Sequence, residues 1–234
     1  ILNAHRINQG EFPTSVHEHA RHDFIFIKEE NPENMSAHLQ RIYKNGLPKY
    51  DIPADESIVL VPMNRGSVGT IKINHDLQQI LNGHHTDHHL MFAGTTFKVG
   101  DRVMQIRNNY DKLVFNGDIG VIQTIDIIEK TMLVNFLGQL VTYEQSDMDE
   151  LVLAYAISIH KSQGSEFGAV IVPIFMQHFM LLQRNLIYTA ITRAKKLCIF
   201  IGQPKAISIA IKNDKGLVRT TFLSAYLTSD LSCR

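Results

Sequence analysis

Residues Ala154–Gly202 contain the pattern that most restricts what this 234-residue chain can fold into. An apolar segment, Ala154–Ile159, is followed by the polar turn HKSQGSEF and a second apolar segment, Ala169–Ile174. A helical segment then ends in LIYTAITRAKK and leads to a third apolar segment, Leu197–Ile201. Strand, polar turn, strand, helix and strand is typical of a parallel sheet whose carboxyl-end loops hold a ligand. We therefore predict an α/β fold with its functional residues in the two polar segments.

The first polar segment has the composition of a phosphate- and sugar-binding turn. Gly164 permits a sharp turn or a close approach to a ligand, and Glu166 can accept a hydrogen bond from a sugar hydroxyl. The donors for phosphate oxygens are His160, Lys161, Ser162 and Gln163. An ordinary polar turn is the alternative, with Gly164 as a turn glycine, Glu166 as a loop acid and His160 as a polar group beside a strand end.

The second polar segment, YTAITRAKK, places Arg193 just before the basic pair Lys195 and Lys196. A guanidinium suits a polyphosphate whose charge grows during transfer, and such an arginine increases phosphoryl-transfer rates roughly a thousandfold or more. The alternative is that Arg193 is a surface helix arginine. Lys195 and Lys196 are expected to be solvated charges at a helix end, where the helix dipole favours them. Tyr188 is expected to pack with its polar tip near the cleft.

The two segments together resemble a known helicase group. AISIHKSQGSEF resembles motif V, and LIYTAITRAKK motif VI, of superfamily 1 DNA helicases of the RecD type, which are related to the alpha subunit of exodeoxyribonuclease V and to conjugative relaxase-helicases. The resemblance implies a RecA-like lobe, the second motor domain of a P-loop NTPase-like enzyme. It implies that Arg193 contacts the γ-phosphate of ATP across a cleft and that Glu166 holds the ribose. Further nucleotide contacts are implied for Gly164, Gln163 and Tyr188, and single-stranded DNA contacts for Ser158, His160 and Lys161.

The region before these motifs also resembles the family. Apolar strands are predicted at Asp23–Glu30 and Ser57–Met63, followed by NRGSVGTIKINHDLQQILNG. This segment resembles the family's PM-x-x-G-x-x-G stretch and the LN-x-x-LQ-x-x-LN run after it. Asn64 and Arg65 follow a strand's carboxyl end, where a ligand could lie, and are expected to contact DNA; the alternative for Arg65 is a solvated loop arginine. A short helix is predicted over Asn74–Leu81, with Asn74 as its cap.

The middle of the chain has a different pattern. Short alternating segments separated by Gly, Asn and Asp turns predict a small antiparallel barrel over residues 95–150. FKVGDRVMQIRNNYD and FNGDIGVI resemble the SH3-like insert of RecD-type helicases, which would divide the lobe into residues 1–94 and 151–234. Arg107 and Tyr110 are expected to contact DNA, with Tyr110 stacking on a base. For Asn108 and Asn109, hairpin-turn chemistry is the favoured alternative.

Charge and cysteine content narrow the possible classes of protein. Lys plus Arg equals Asp plus Glu at 23 each, which argues against binding nucleic acid through bulk charge but not against a local basic channel. Cys198 and Cys233 form no disulfide or metal framework, and Cys198 is expected in the core. No apolar run approaches the roughly 20 residues of a membrane span, and no signal-peptide pattern appears. A cytoplasmic protein is therefore expected, in a chain that begins inside a longer protein or after processing.

Some parts of a complete motor are not found in the sequence. There is no G-x-x-x-x-G-K-[ST] segment, and in this family the residues that bind the phosphates and Mg²⁺ lie in an upstream lobe. The resemblance therefore implies a 5′–3′ DNA helicase that uses ATP and Mg²⁺, of which this chain alone is inactive. Its expected partners are DNA, the upstream lobe and other recombination subunits. A non-catalytic nucleic-acid-binding module and the helicase part of a relaxase are the alternatives. The histidines of HHTDHH, residues 84–89, match no standard metal site, and none is expected.

Overall fold

Two β-sheets form the frame of the structure, a computed structural model that describes residues 2–14, 23–83 and 88–214. In chain order the strands are β1 (Phe24–Lys28), β2 (Ser57–Val61), β3 (His89–Phe92), β4 (Thr95–Lys98), β5 (Arg102–Gln105), β6 (Ile119–Asp126), β7 (Thr131–Phe136), β8 (Gln139–Tyr143), β9 (Leu151–Leu153), β10 (Ala156–Ser158), β11 (Phe167–Ile174) and β12 (Ala194–Gly202). The first sheet is parallel and has the order β1-β12-β11-β2-β10. Helices lie on both of its faces, which confirms the predicted RecA-like α/β lobe.

Five α-helices within the described residues belong to this lobe. They are α1 (Leu2–Asn8), α2 (Met35–Arg41), α3 (Thr70–Asn82), α4 (Arg184–Ile191) and α5 (Pro204–Lys212). Alternate strand residues point to opposite faces, so Ile58 and Leu60 pack with α1, α4 and α5, while Val59 and Val61 pack with α2 and α3. The sequence also predicts a final helix after Gly216, and both that segment and Cys233 lie outside the described residues. In the part of the chain that the structure describes, no helix combines the length and apolar character that crossing a bilayer requires.

The SH3-like insert follows α3 and is built on the second sheet. This sheet is antiparallel, with the order β8-β7-β6-β5-β9, and β3 and β4 form a separate hairpin beside it. Its own core includes Phe97, Val103, Val134 and Tyr143. The last strand, β9, pairs with β5 although the predicted division at residue 150 assigned it to the lobe. The short β3 to β4 hairpin was not predicted.

The prediction that a helix starts at Asn74 as its cap is wrong. The helix begins one turn earlier, at Thr70, and Asn74 is buried inside it. Its side-chain amide donates to the Ala156 carbonyl and its Oδ1 accepts from the Ala156 N–H, both at 2.8 Å. Because β10 is an edge strand of three residues, this amide takes the place of a neighbouring strand on its open side.

A buried carboxylate joins α3 to the insert. Asp101 has no exposed surface, and its two oxygens accept from Gln78 Nε2 at 2.5 Å, the Lys98 N–H and Asn82 Nδ2 at 2.7 Å, and the Tyr155 hydroxyl at 2.9 Å. Burial and this carboxylate raise the pKa of Tyr155 far above its usual value, so the hydroxyl remains a donor. Four donors therefore hold one carboxylate between the lobe and the insert.

Candidate functional site

Two of the residues implied to bind nucleotide, Glu166 and Arg193, lie at the amino edge of the parallel sheet. Glu166 immediately precedes β11 and Arg193 immediately precedes β12, and the first residues of these strands, Phe167 and Ala194, are paired. The expectation that these groups follow the carboxyl ends of strands was therefore wrong. In a parallel sheet, a segment that connects two successive strands must return to the opposite edge, and both side chains lie at the end of such a return.

Arg193 is fixed beside the turn that contains Glu166. Its Nη1 donates to the Ser165 carbonyl at 3.1 Å, and its Nη2 donates to Thr192 Oγ1 at 3.3 Å. Its backbone carbonyl accepts from the Phe167 N–H at 2.9 Å. Its Nε is buried and has no hydrogen-bond partner among the described residues. The guanidinium is thus half-buried, held next to Glu166, and retains a donor that is not used within the described chain.

Lys195 and Lys196 lie in β12, which corrects the expectation that they end a helix. Helix α4 stops at Ile191, and both lysines are exposed on the strand. Lys195 Nζ is 3.7 Å from Glu166 Oε2, and Lys196 Nζ is 3.6 Å from Glu56 Oε2. Consecutive lysines therefore pair with acids that precede different strands.

A cavity of about 340 Å³ opens at this amino edge. Glu166, Tyr188 and Lys195 line it, and Tyr188 presents its ring from α4 with 41% of its surface exposed. Gln163 does not reach this cavity and borders a separate recess of about 70 Å³. Gly164 is exposed and has φ +86°, and a methyl group in place of its hydrogen would meet no atom within 4 Å. It therefore serves the turn's backbone conformation and not a close approach within this chain.

Three of the residues implied to bind DNA meet at the opposite, carboxyl edge. Asn64, which follows β2, and Ser158 and Lys161, which end and follow β10, line a cavity of about 310 Å³ between the lobe and the insert. Ser158 Oγ accepts from the Lys161 N–H at 3.4 Å. Asn64 Oδ1 accepts from Thr70 Oγ1 at 3.2 Å. Polar groups from two strand ends thus face a single opening.

The loop before α3 has little room for side chains. A Cβ on Gly69 would lie 2.5 Å from the Asn64 carbonyl oxygen and 2.6 Å from the Arg65 carbonyl, so only glycine fits there without a backbone shift. Arg65 itself is exposed and borders another, open cavity with Lys72. His160 is also exposed, but it borders the same recess as Gln163. The structure therefore does not bring Arg65 and His160 into the cavity that contains Asn64.

The insert places its predicted DNA residues on the loop between β5 and β6. Arg107 pairs with Asp149 at 2.9 Å on an exposed surface. Tyr110 is 70% exposed, and its ring meets Phe115 edge-on with centroids 6.0 Å apart. Neither residue borders the 310 Å³ cavity.

The asparagines of this loop make contacts that serve its backbone. Asn108 Oδ1 accepts from the Asn116 N–H at 2.9 Å, and Asn109 Oδ1 accepts from the Lys112 N–H at 3.0 Å. These contacts agree with the turn chemistry that was the favoured alternative for both asparagines.

Two residues near these cavities were not identified as relevant from the sequence. Asn74 lines the same cavity as Asn64 and Ser158. The LN-x-x-LQ-x-x-LN run could have identified this residue, because the amide side chains of that run recur every four residues and therefore share one face of α3. Lys195 was interpreted as a helix-end charge because its pairing with Glu166 depends on where β12 starts. Among the described residues, no group of three or more His, Cys, Asp or Glu side chains is placed to hold a metal ion.

Comparison with known families agrees with this architecture. Residues 73–136 match the model of the ATP-dependent RecD-like DNA helicase SH3 domain, and residues 153–201 match the UvrD-like helicase C-terminal domain. The first match begins inside α3 and ends with β7, whereas the insert sheet continues through β9. A second motor lobe of a superfamily 1 helicase, with an SH3-like insert, is therefore the class of protein that the fold and the two matches define.

Curated relatives narrow the class further. The chain is 33% identical over 165 residues to the ATP-dependent RecD2 DNA helicase of Deinococcus radiodurans, an alignment that covers 70% of this chain and 22% of that protein. It is 30% identical over 169 residues to the RecBCD enzyme subunit RecD of Mycolicibacterium smegmatis, covering 72% of this chain and 29% of that protein. The chain thus belongs to the RecD-type superfamily 1 helicases and is similar to their C-terminal portion. It spans less than a third of the length of these relatives.

Solved structures agree on the fold. The Pif1 helicase of Candida albicans superposes with a TM-score of 0.53 at 17% identity, over 97% of this chain and 56% of that one. A Pif1 helicase studied at forked double-stranded DNA gives 0.50 at 19% identity, over 86% of this chain and 53% of that one. At such identities, the likeness concerns the fold alone.

Proposed function

We propose that this chain is the second motor lobe of an ATP-dependent 5′–3′ DNA helicase of the RecD type. The observation that carries the proposal is the convergence of Arg193 and Glu166 at one edge of the sheet, where Arg193 donates to the residue that precedes Glu166. Arg193 is the arginine finger, which stabilises charge on the γ-phosphate, and Glu166 contacts the ribose. Tyr188 completes the nucleotide side from the same cavity as Glu166, and Gly164 shapes the turn that carries Glu166, whereas Gln163 borders a separate recess.

The proposed DNA surface lies at the carboxyl edge and on the insert. Asn64, Ser158 and Lys161 contact the single strand at the cavity between the lobe and the insert. Arg65 and His160 extend this surface, while Arg107 contributes charge and Tyr110 a stacking platform from the insert. Amide, hydroxyl and ammonium donors suit phosphate oxygens, so binding by these residues is expected to be independent of base sequence.

A single segment, residues 159–166, joins the two edges. It begins directly after Ser158 at the end of β10, contains Lys161, and ends at Glu166, where the Ser165 carbonyl accepts from Arg193. We propose that ATP binding draws Arg193 toward the upstream lobe and that this segment carries the movement to the DNA surface. Phosphate and Mg²⁺ ligands belong to the upstream lobe, and no residue of this chain is assigned to the ion. The proposed setting is the cytoplasm, with the upstream lobe, DNA and recombination subunits as partners.

The test compares arginine variants in a polypeptide that carries this chain with its upstream lobe. We expect Arg193→Ala to lower DNA-stimulated ATP hydrolysis by roughly a thousandfold, with single-stranded DNA affinity retained. The exposed Arg41→Ala is the matched control and should hydrolyse ATP at the normal rate. If Arg193→Ala left hydrolysis intact, the chain would be a non-catalytic nucleic-acid-binding module.

The DNA surface and the direction of movement need separate measurements. Lys161→Ala should weaken single-stranded DNA binding similarly for all base sequences and reduce the salt slope of log K by about one. Lys49→Ala, an exposed lysine away from the cavity, should change neither quantity. Unwinding of partial duplexes with a 5′ tail, but not with a 3′ tail, is the result expected for the proposed direction. The opposite preference would contradict it.

A further inference from the structure

We propose that Lys195 is a positioning residue for the Glu166 carboxylate, and that it thereby sets how strongly the site distinguishes ATP from its deoxyribose analogues. The inference rests on the proposed ribose contact of Glu166, and it identifies the Lys195 ammonium as the group that orients the Glu166 carboxylate. It follows from the position of Lys195 on a strand, which its sequence context did not predict.

Glu166 needs a partner to hold one orientation. Its side chain is 58% exposed and lies on a turn, so its rotatable bonds are not restricted by packing. Lys195 Nζ is 3.7 Å from Oε2 of that side chain. The backbone of Lys195 is fixed, since it follows Ala194, which pairs with Phe167 at the start of the sheet ladder. The ammonium is therefore carried by a backbone that is fixed in the sheet ladder, within reach of an exposed acid on a turn.

The pairing leaves half of the carboxylate available for a ligand. A carboxylate has two oxygens with about four acceptor positions, and Lys195 approaches only Oε2. Both side chains line the 340 Å³ cavity that also holds Tyr188. With Oε2 held by the ammonium, Oε1 remains to accept from a ribose hydroxyl in that cavity. Because the ion pair is exposed, its effect on orientation is modest and measurable as a few-fold change.

Lys196 provides a control that the chain itself offers. It is the next residue, carries the same charge, has similar exposure and borders the same cavity, but its Nζ is 3.6 Å from Glu56 Oε2 and pairs with that acid instead of Glu166. The neighbouring lysines thus have different acidic partners. A general effect of positive charge at this edge would appear in both alanine variants, whereas positioning of Glu166 would appear only for Lys195.

The experiment measures kcat/KM for ATP, 2′-deoxyATP and 3′-deoxyATP at saturating single-stranded DNA, in the polypeptide that includes the upstream lobe. Selectivity is the ratio of kcat/KM for ATP to that for the poorer analogue. We expect Glu166→Ala to lower this ratio about tenfold, since a hydrogen bond to a charged group is lost. Lys195→Ala should lower it about threefold. Lys195→Arg and Lys196→Ala should keep the normal ratio.

A double variant and the alternative outcomes separate the two proposals. Glu166→Ala/Lys195→Ala should have the ratio of Glu166→Ala alone, because the lysine acts only through the acid. If Glu166→Ala lowers the ratio and Lys195→Ala does not, the inference about Lys195 is overturned and the ribose role of Glu166 stands. An equal loss for all three nucleotides in Lys195→Ala also overturns it, because that pattern indicates a phosphate contact. An unchanged ratio in Glu166→Ala removes the ribose contact itself.

Discussion

Asn74 and Ala156 exchange two hydrogen bonds of 2.8 Å across 82 positions of sequence. The Asn74 side chain thus pairs with both the N–H and the carbonyl of Ala156, on the side of edge strand β10 that faces away from β2. Ser158, a proposed DNA ligand, lies two residues further along the same strand. The Asn74 amide therefore supports the strand that carries this proposed DNA contact.

Asn74→Ala should destabilise the protein by about 2–3 kcal/mol, because it leaves the buried N–H and carbonyl of Ala156 without partners. The measurement is the urea midpoint of unfolding. Lys72→Ala, on the exposed side of the same helix, removes only a surface pair with Asp76 and should cost about 0.5 kcal/mol or less. Equal midpoints for the two variants would show that the amide pairing contributes nothing specific.

Asp101→Asn should destabilise the contact between lobe and insert by about 3 kcal/mol. The substitution replaces one acceptor oxygen by an NH₂ group among four donors, so at least one donor is left facing another. Hydrogen exchange at the amides of β5 and of α3 reports the loosening. Asp126→Asn is the control, since Asp126 caps an exposed turn. Exchange in Asp101→Asn that matched this control would contradict the prediction.

Acid stability should depend on Glu29. Hydrogen bonds from the Asn31 N–H, His38 and Asn34 lower the pKa of Glu29 from 4.5 to about 2. Because the folded-state pKa is depressed, the stabilisation is fully present above pH 4.5 and is lost as the pH falls toward 2. Glu29→Gln should therefore lower the free energy of unfolding at about pH 6 and show a smaller decrease between about pH 5 and pH 2.5. The exposed Glu33→Gln should behave like the unmodified protein, and an identical profile for Glu29→Gln would refute the role of this carboxylate.

Gly69→Ala should weaken single-stranded DNA binding by about tenfold, because the added methyl group meets the backbone of Asn64 and Arg65 at 2.5–2.6 Å and displaces that loop, at the cost of one or two hydrogen bonds to DNA. Fluorescence anisotropy with a labelled oligonucleotide measures the loss. Ser67→Ala in the same loop removes only a long contact with Gln177, 3.4 Å, and should bind normally. Normal binding by Gly69→Ala would exclude this loop from the DNA surface.

The 234-residue chain alone should hydrolyse ATP at a negligible rate, because the proposed mechanism takes its phosphate and Mg²⁺ ligands from the upstream lobe. A phosphate-release assay with and without single-stranded DNA checks this, and adding the separately purified upstream lobe should restore turnover. DNA-stimulated hydrolysis by the chain alone would contradict the division of roles.

The strands and the family were predictable from sequence because they depend on local patterns. Apolar runs located β2 and β11, and the turn residues between short alternating segments located the barrel region that contains β5, β6, β7 and β8. Features that depend on distant pairing were not predictable. β9 is three residues long and is defined only by its pairing with β5. Asn74 has the residue type of a cap, yet tertiary contacts made it an interior residue.

The same distinction between local patterns and distant pairing applies to the candidate site. The motif residues were identified from their local sequence. The edge of the sheet at which they lie was not predicted correctly, because it depends on the path of residues 159–166. The start of β12 at Ala194 converted two expected helix-end lysines into strand residues with different acidic partners. Arg107 is tied to Asp149, a contact that local sequence does not reveal.

The position of the insert has a consequence for biosynthesis. Since β10 reaches the lobe only through the barrel, a ribosome must synthesise all of residues 83–155 before the edge next to β2 can close. Until then, the amide of Asn74 and the open side of β2 remain unsatisfied in the nascent chain. The barrel, whose contacts are nearer in sequence, is expected to fold first and to deliver the missing strand. Within this chain, the parallel sheet of the lobe is therefore expected to close after the barrel has folded.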